Sequence, residues 1–183
     1  MSKCGNCGKC SRSKAISELF ISEQSESAIK VPEKLVGIGF RCWLAGYENS
    51  DIQCWETGWN HYTSVLGPRH AKTAIAELAC WVRCVHSCAA RPIKVHPYPS
   101  AGFCADECVA ISMVAASQHG ACPALRACAF TLLGSSEVDD VINCAGNFAG
   151  ALRDAGQILS QTSICDAAIL AQADRPVSSP LRQ

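Results

Sequence analysis

Fourteen of the 183 residues are cysteine, and their spacing says more than their number. Cys80, Cys84 and Cys88 form two overlapping CxxxC units, and Cys104 and Cys108 form another. Residues four apart stack on one helical face, so each unit sets two thiols side by side. Between Cys88 and Cys104, Pro92, Pro97 and Pro99 oppose a continuous helix and turn the chain. If the flanking helices fold back antiparallel, Cys84 faces Cys108 and Cys88 faces Cys104. Four thiols then meet at the neck of the hairpin. Such a set suits Cu(I), Zn²⁺ or an iron–sulfur cluster. The same thiols could pair as disulfides or act as a redox switch, or line a helix contact as inert small hydrophobes.

A second array opens the chain: Cys4, Cys7 and Cys10 in a CxxCxxC pattern. Gly5 and Gly8 let the backbone curl so that thiolates converge, and Lys3 and Lys9 favour the ionised form. Three ligands suit zinc or an iron–sulfur cluster, but a closed site needs a fourth, with Cys42 or Cys54 as candidates. The alternative is a thiol-bearing tail with no site. His119 with Cys122 and Cys128 makes a third, partial constellation, against which stands a loop histidine beside a packed cysteine.

Helices must position these residues. On a wheel of about 100° per residue, Ile75, Leu78, Val82, Val85 and Ala89 define a core side, and Cys80, Cys84 and Cys88 flank the polar side. They therefore border a second interface or a site. That helix is expected over 69–90, with the next over 102–118. Before them, Leu35, Ile38, Trp43, Leu44 and Tyr47 fit one helix, weakened by Gly37 and Gly39 at about 1 kcal/mol each. Ser50 followed by Gln53 has the form of a capping box. It opens a helix with Ile52, Trp55, Trp59, Tyr62 and Leu66 as its core face, ended by Gly67-Pro68. Cys122-Pro123 opens a further helix that Gly134 closes.

Ser135 or Ser136 caps the most amphipathic segment, 136–159, with Val138, Val141, Ile142, Ala145, Phe148, Leu152 and Ala155 on one stripe. Cys144 falls within this helix and outside the expected ligand set, and Gly146 with Gly150 reads as a close helix approach. A short helix over 164–173 completes the body. The expected architecture is all-α, a bundle of about six helices: residues 1–33 form a cysteine-rich head and linker, 34–173 the bundle, and 174–183 a tail.

Hydrophobic residues make up 49% of the chain and charged ones 17%, so most of it must pack into a core. Sixteen basic residues balance sixteen acidic ones, which gives no electrostatic case for nucleic acid or an anionic membrane. No apolar run approaches the roughly 20 residues that span a bilayer, and the first residues lack a signal core. A reducing cytoplasm follows as the expected compartment, where cysteines are usually free, metal-bound or catalytic.

Repeated CxxxC units on bundle helices, over about residues 80–128 here, resemble the cysteine-rich copper-storage and copper-binding four-helix proteins. That resemblance implies Cu(I) held by thiolates pointing between helices. Cys122 and Cys128 depart from the pattern with a six-residue step. The twin CX3C arrangement also resembles small chaperones of the mitochondrial intermembrane space, whose units are disulfide-bonded. This chain departs from those in its length, in Cys80 and in its turn prolines.

No nucleophile elbow, phosphate loop, dinucleotide fingerprint or HExxH motif is present. Cys84 and His86, two apart on a helix, point in different directions. The sequence thus points away from an enzyme and toward a cytoplasmic protein binding a thiophilic metal for storage, delivery or sensing. Its metal ligands would be Cys84, Cys88, Cys104 and Cys108, with Cys80 beside them and Cys4, Cys7 and Cys10 in the head. The alternatives are a helical interaction or regulatory module with structural cysteines, a protein partner or second copy docking on the 136–159 helix or on the exposed side of the 69–90 helix, and a thiol–disulfide switch.

Overall fold

The computed structural model describes residues 30–165, and they contain helices and no strand. Five helices follow one another: α1 Val31–Asn49, α2 Ile52–Cys88, α3 Ala105–Gln118, α4 Cys122–Leu133 and α5 Asp139–Asp154. A 3-10 turn, Gln161–Ser163, closes the described chain. The head with Cys4, Cys7 and Cys10 lies outside the described residues, as do the tail and most of the helix expected over 164–173; Ile164 itself is extended.

α3 is the centre of the bundle. From Val109 to Ala116 every residue is buried, so the helix shows no polar face of its own. It packs against α1, α4 and α5, while α2 packs against α1 and α5. Aromatic rings tie these layers: Phe40 of α1 lies 5.4 Å from Trp81 of α2, which stacks at 5.5 Å on Phe148 of α5. Each fully buried side chain of this size contributes about 1.5–3 kcal/mol.

α2 is broken where the sequence said it should be. Gly67 adopts φ 71° and ψ 162°, which interrupts the helix, and Pro68 begins the second half. Other boundaries moved for local reasons. Ser50 is the left-handed C-cap of α1 (φ 54°), and the cap of α2 is Asp51, whose side chain accepts the Gln53 N–H at 2.9 Å. α1 begins at Val31, inside the expected linker, because Pro32 suits its first turn. Buried Glu33 there accepts from Ser160 N at 2.8 Å and Ser163 Oγ at 2.9 Å. α5 is shorter than expected, Asp139–Asp154, and its apolar stripe is buried inside the bundle.

The expected core face of the first half of α2 also divides. Tyr62 is fully buried and donates to Leu35 O at 2.8 Å, but Trp59 and Ile52 are 42% and 64% exposed. Gly39 permits the Tyr62 contact: a Cβ there would strike the Tyr62 hydroxyl and Leu78, as one at Gly37 would strike Phe103.

The segment between α2 and α3 does not make a hairpin. α2 and α3 share no substantial interface. A buried ion pair holds the intervening loop on α1 instead: Arg41 Nε donates to Glu107 Oε1 at 2.6 Å, and its other nitrogens donate to Gly102 O at 2.7 Å and Ser100 O at 3.2 Å. Arg91 makes the matching contact outside, donating to Asp106 Oδ1 at 2.7 Å. No helix among the described residues is long and apolar enough to cross a membrane.

Candidate functional site

The stack of Trp81 on Phe148 sets the register of α2 against α5. One turn beyond Trp81 lies Cys84, and one turn before Phe148 lies Cys144, so the two helices run in opposite directions and the thiols meet. The Cys84 and Cys144 thiols lie within hydrogen-bond reach of each other, and Cys88, on the next turn of α2, is also within reach of Cys84. Burial, reinforced by Cys88 and Cys144, pushes the Cys84 thiol up to about 12. Burial raises Cys144 as well; the Cys84 bond opposes this, while Cys80, Asp140 and Glu77 add to it. The thiols therefore stay protonated at neutral pH. Glu77 and Asp140 make the rim acidic, which opposes a bare thiolate and favours an incoming cation.

Cys80 is exposed, and Cys84, Cys88 and Cys144 are half-buried. Cys144 is the thiol that sequence reasoning left outside the ligand set. Only the tertiary register of α2 on α5 reveals its contact with Cys84.

Cys104 and Cys108 sit at the start of α3, which shares no substantial interface with α2. The Cys104 N–H donates to Glu107 Oε2 at 2.7 Å, and its S–H donates to Lys94 O at 2.9 Å. Burial pushes Cys104 up to about 11. Burial, then Cys104 and Glu107, pushes Cys108 up to about 12. Among the described residues, no group of three or more His, Cys, Asp or Glu side chains is arranged to hold a metal ion. A closed four-ligand cage is not preformed there.

Two further thiol pairs emerge. Cys42 and Cys54 line a groove of about 440 Å³ with Asp51, His96 and Tyr98. Burial, then Cys54, pushes Cys42 up to about 11. The Cys54 S–H donates to Asp51 Oδ2 at 3.5 Å. Cys128 lies 3.2 Å from Ser112 Oγ and within reach of Cys165. His119 takes no part in that group, because its Nε2 pairs with Leu159 O at 2.9 Å.

All eleven described cysteines are free thiols. No family model matches the chain, and no curated protein or solved structure matches it either.

Proposed function

We propose that the protein binds a thiophilic d¹⁰ metal ion, Cu(I) above all, at the α2–α5 interface through two sulfurs, Cys84 and Cys144, with Cys88 one turn along α2 as an accessory thiol. The carrying observation is the contact of Cys84 with two other thiols, one on its own helix and one on α5. Cu(I) needs only two or three soft sulfur ligands, whereas structural zinc and iron–sulfur clusters ask for four. Half-burial shields such an ion from water, and the adjacent Glu77 and Asp140 attract it. Cys80 offers an exposed thiol for passing an ion on or off. A reducing cytoplasm, where thiols stay free and copper monovalent, fits this use. Cys104 with Cys108, and Cys4, Cys7 and Cys10 of the head, are further thiol groups for the same ion or for zinc. Nucleic acid plays no part in this reading.

A footprint tests it. Reduced protein is alkylated with and without Cu(I), and each cysteine is mapped by mass spectrometry. Protection of Cys84, Cys88 and Cys144 is expected, with Cys122 alkylated in both cases. Equal alkylation of Cys84 and Cys144 with and without copper defeats the proposal.

A second reading, a helical interaction module, is favoured by Ile52, Trp59 and Val65, exposed apolar residues on the first half of α2. It places the contact surface there rather than on α5, whose apolar stripe is buried.

A further inference from the structure

We propose that Cys128 is an oxidation site for hydrogen peroxide and that Cys165 resolves the product, closing a disulfide between α4 and the segment that follows α5. The argument begins with Ser112, a fully buried polar side chain on the central helix. Its Oγ accepts the Cys165 N–H at 2.7 Å and lies 3.2 Å from Cys128 Sγ. One hydroxyl thus bridges the Cys165 backbone and the Cys128 sulfur, with a proton it can turn toward that sulfur. The Cys165 thiol lies within hydrogen-bond reach of Cys128. The Cys128 sulfur thus has two potential donors around it, Ser112 and Cys165, and donors facing a sulfur favour its thiolate.

The consequence is a division of labour within one pair. Hydrogen bonds from Cys165 and Ser112 pull the Cys128 thiol below its ordinary value against the effect of burial, while the bond to Cys128, then burial, raises Cys165. One sulfur is poised to attack and the other keeps its proton for a second step. The Cys84 group is the opposite case, where burial and acidic neighbours hold the thiols protonated.

The chemistry balances with peroxide as the oxidant. The Cys128 thiolate attacks one peroxide oxygen, the O–O bond breaks, and the departing hydroxide leaves as water with the proton given up by Cys128. Cys128 is then a sulfenic acid. The Cys165 sulfur attacks that sulfur, an S–S bond forms, and the S–O bond breaks. The second hydroxide leaves as water with the Cys165 proton. Two thiols lose two electrons and two protons, and one peroxide becomes two waters.

Burial selects the oxidant. Cys128 is sealed and Cys165 is 7% exposed, so a bulky disulfide such as oxidised glutathione cannot reach them in the closed state. The covering segment is held by a few bonds, among them Leu159 N to Gln118 Oε1 at 2.8 Å and Ser160 N to Glu33. Its local lifting admits a molecule as small as peroxide. Once closed, the disulfide fixes this segment to α4.

The test uses full-length, metal-free, reduced protein treated with limiting hydrogen peroxide, then alkylated and peptide-mapped without reduction. A linked Cys128–Cys165 peptide is expected as the first disulfide. Cys165→Ser should leave a sulfenic acid on Cys128 that dimedone captures. Ser112→Ala should slow oxidation by roughly tenfold, the worth of one hydrogen bond to a charged group. Cys122→Ser should behave as the parent, and oxidised glutathione should link the pair far more slowly than peroxide does. Cys128 and Cys165 remaining alkylatable while other cysteines oxidise would overturn the proposal, as would an absence of dimedone adduct in folded Cys165→Ser. If that variant does not fold, the peptide map of the parent decides alone.

Discussion

Cys84 on α2 and Cys144 on α5, sixty residues apart in sequence, lie within hydrogen-bond reach of each other. The contact exists because Trp81 and Phe148 stack one turn away on the same two helices. Both thiols are held protonated, Cys84 up to about 12, so an ion must displace their protons to bind. Copper uptake should therefore tighten with pH between about 6 and 9, by about tenfold per pH unit for each thiol displaced. Cu(I) competition at three pH values measures the slope. A flat profile would mean that the ligands are already ionised or lie elsewhere.

Alkali should weaken the fold. Cys42 and Cys104 are raised to about 11, and Cys84 and Cys108 to about 12, against 9.0 for an ordinary thiol. A raised acid contributes stability in full below its unfolded value and loses it as pH climbs toward its folded value. Between about pH 9 and 12 the unfolded chain sheds these protons and the folded chain keeps them, so unfolding is favoured. Urea midpoints should hold steady up to about pH 8.5 and fall beyond it. A stability that rises above pH 9 would show that these thiols are ionised in the folded state.

The Arg41–Glu107 pair is nearly solvent-free, with side chains 2% and 0% exposed. Glu107→Gln leaves the guanidinium charge uncompensated and loosens the loop that Arg41 holds through Ser100 and Gly102. A loss of about 3–5 kcal/mol is expected in denaturant unfolding. The paired change Arg41→Met with Glu107→Leu should cost less than Glu107→Gln alone, since it removes both charges. A loss below about 1 kcal/mol for Glu107→Gln would contradict a buried, charged pair.

The helices were legible in the sequence because their signals are local. Gly67-Pro68 marked the break, Cys122-Pro123 and Gly134 marked α4, and the stripe through Val141, Ala145, Phe148 and Leu152 marked α5. What failed was tertiary. Gly37 and Gly39 read as weak points of a helix, but they are places where Phe103, Tyr62 and Leu78 approach too closely for a Cβ. Trp59 fits the apolar period of its helix and yet faces outward, because periodicity fixes a stripe and not what covers it.

The thiol site shows the same limit. The CxxxC spacing placed Cys84 beside Cys88, a relation within one helix that any register preserves. The partner across the interface depended on which helices pair. A prolyl turn suggested α2 with α3, but the Arg41–Glu107 pair draws the start of α3 onto α1, and α5 lies against α2. Cys144 takes the place across from Cys84 that the hairpin reading gave to Cys108.

That substitution makes Cys144→Ser the most direct measurement. Full-length parent, Cys84→Ser, Cys144→Ser, Cys104→Ser and Cys122→Ser compete with a colorimetric Cu(I) chelator under anaerobic conditions, and circular dichroism checks each fold. The account predicts that Cys144→Ser and Cys84→Ser each weaken copper retention by roughly a hundredfold, with Cys104→Ser closer to the parent and Cys122→Ser equal to it. Parental affinity in folded Cys144→Ser, or a parent that surrenders all its copper at the weakest chelator concentration, would contradict a copper centre between α2 and α5.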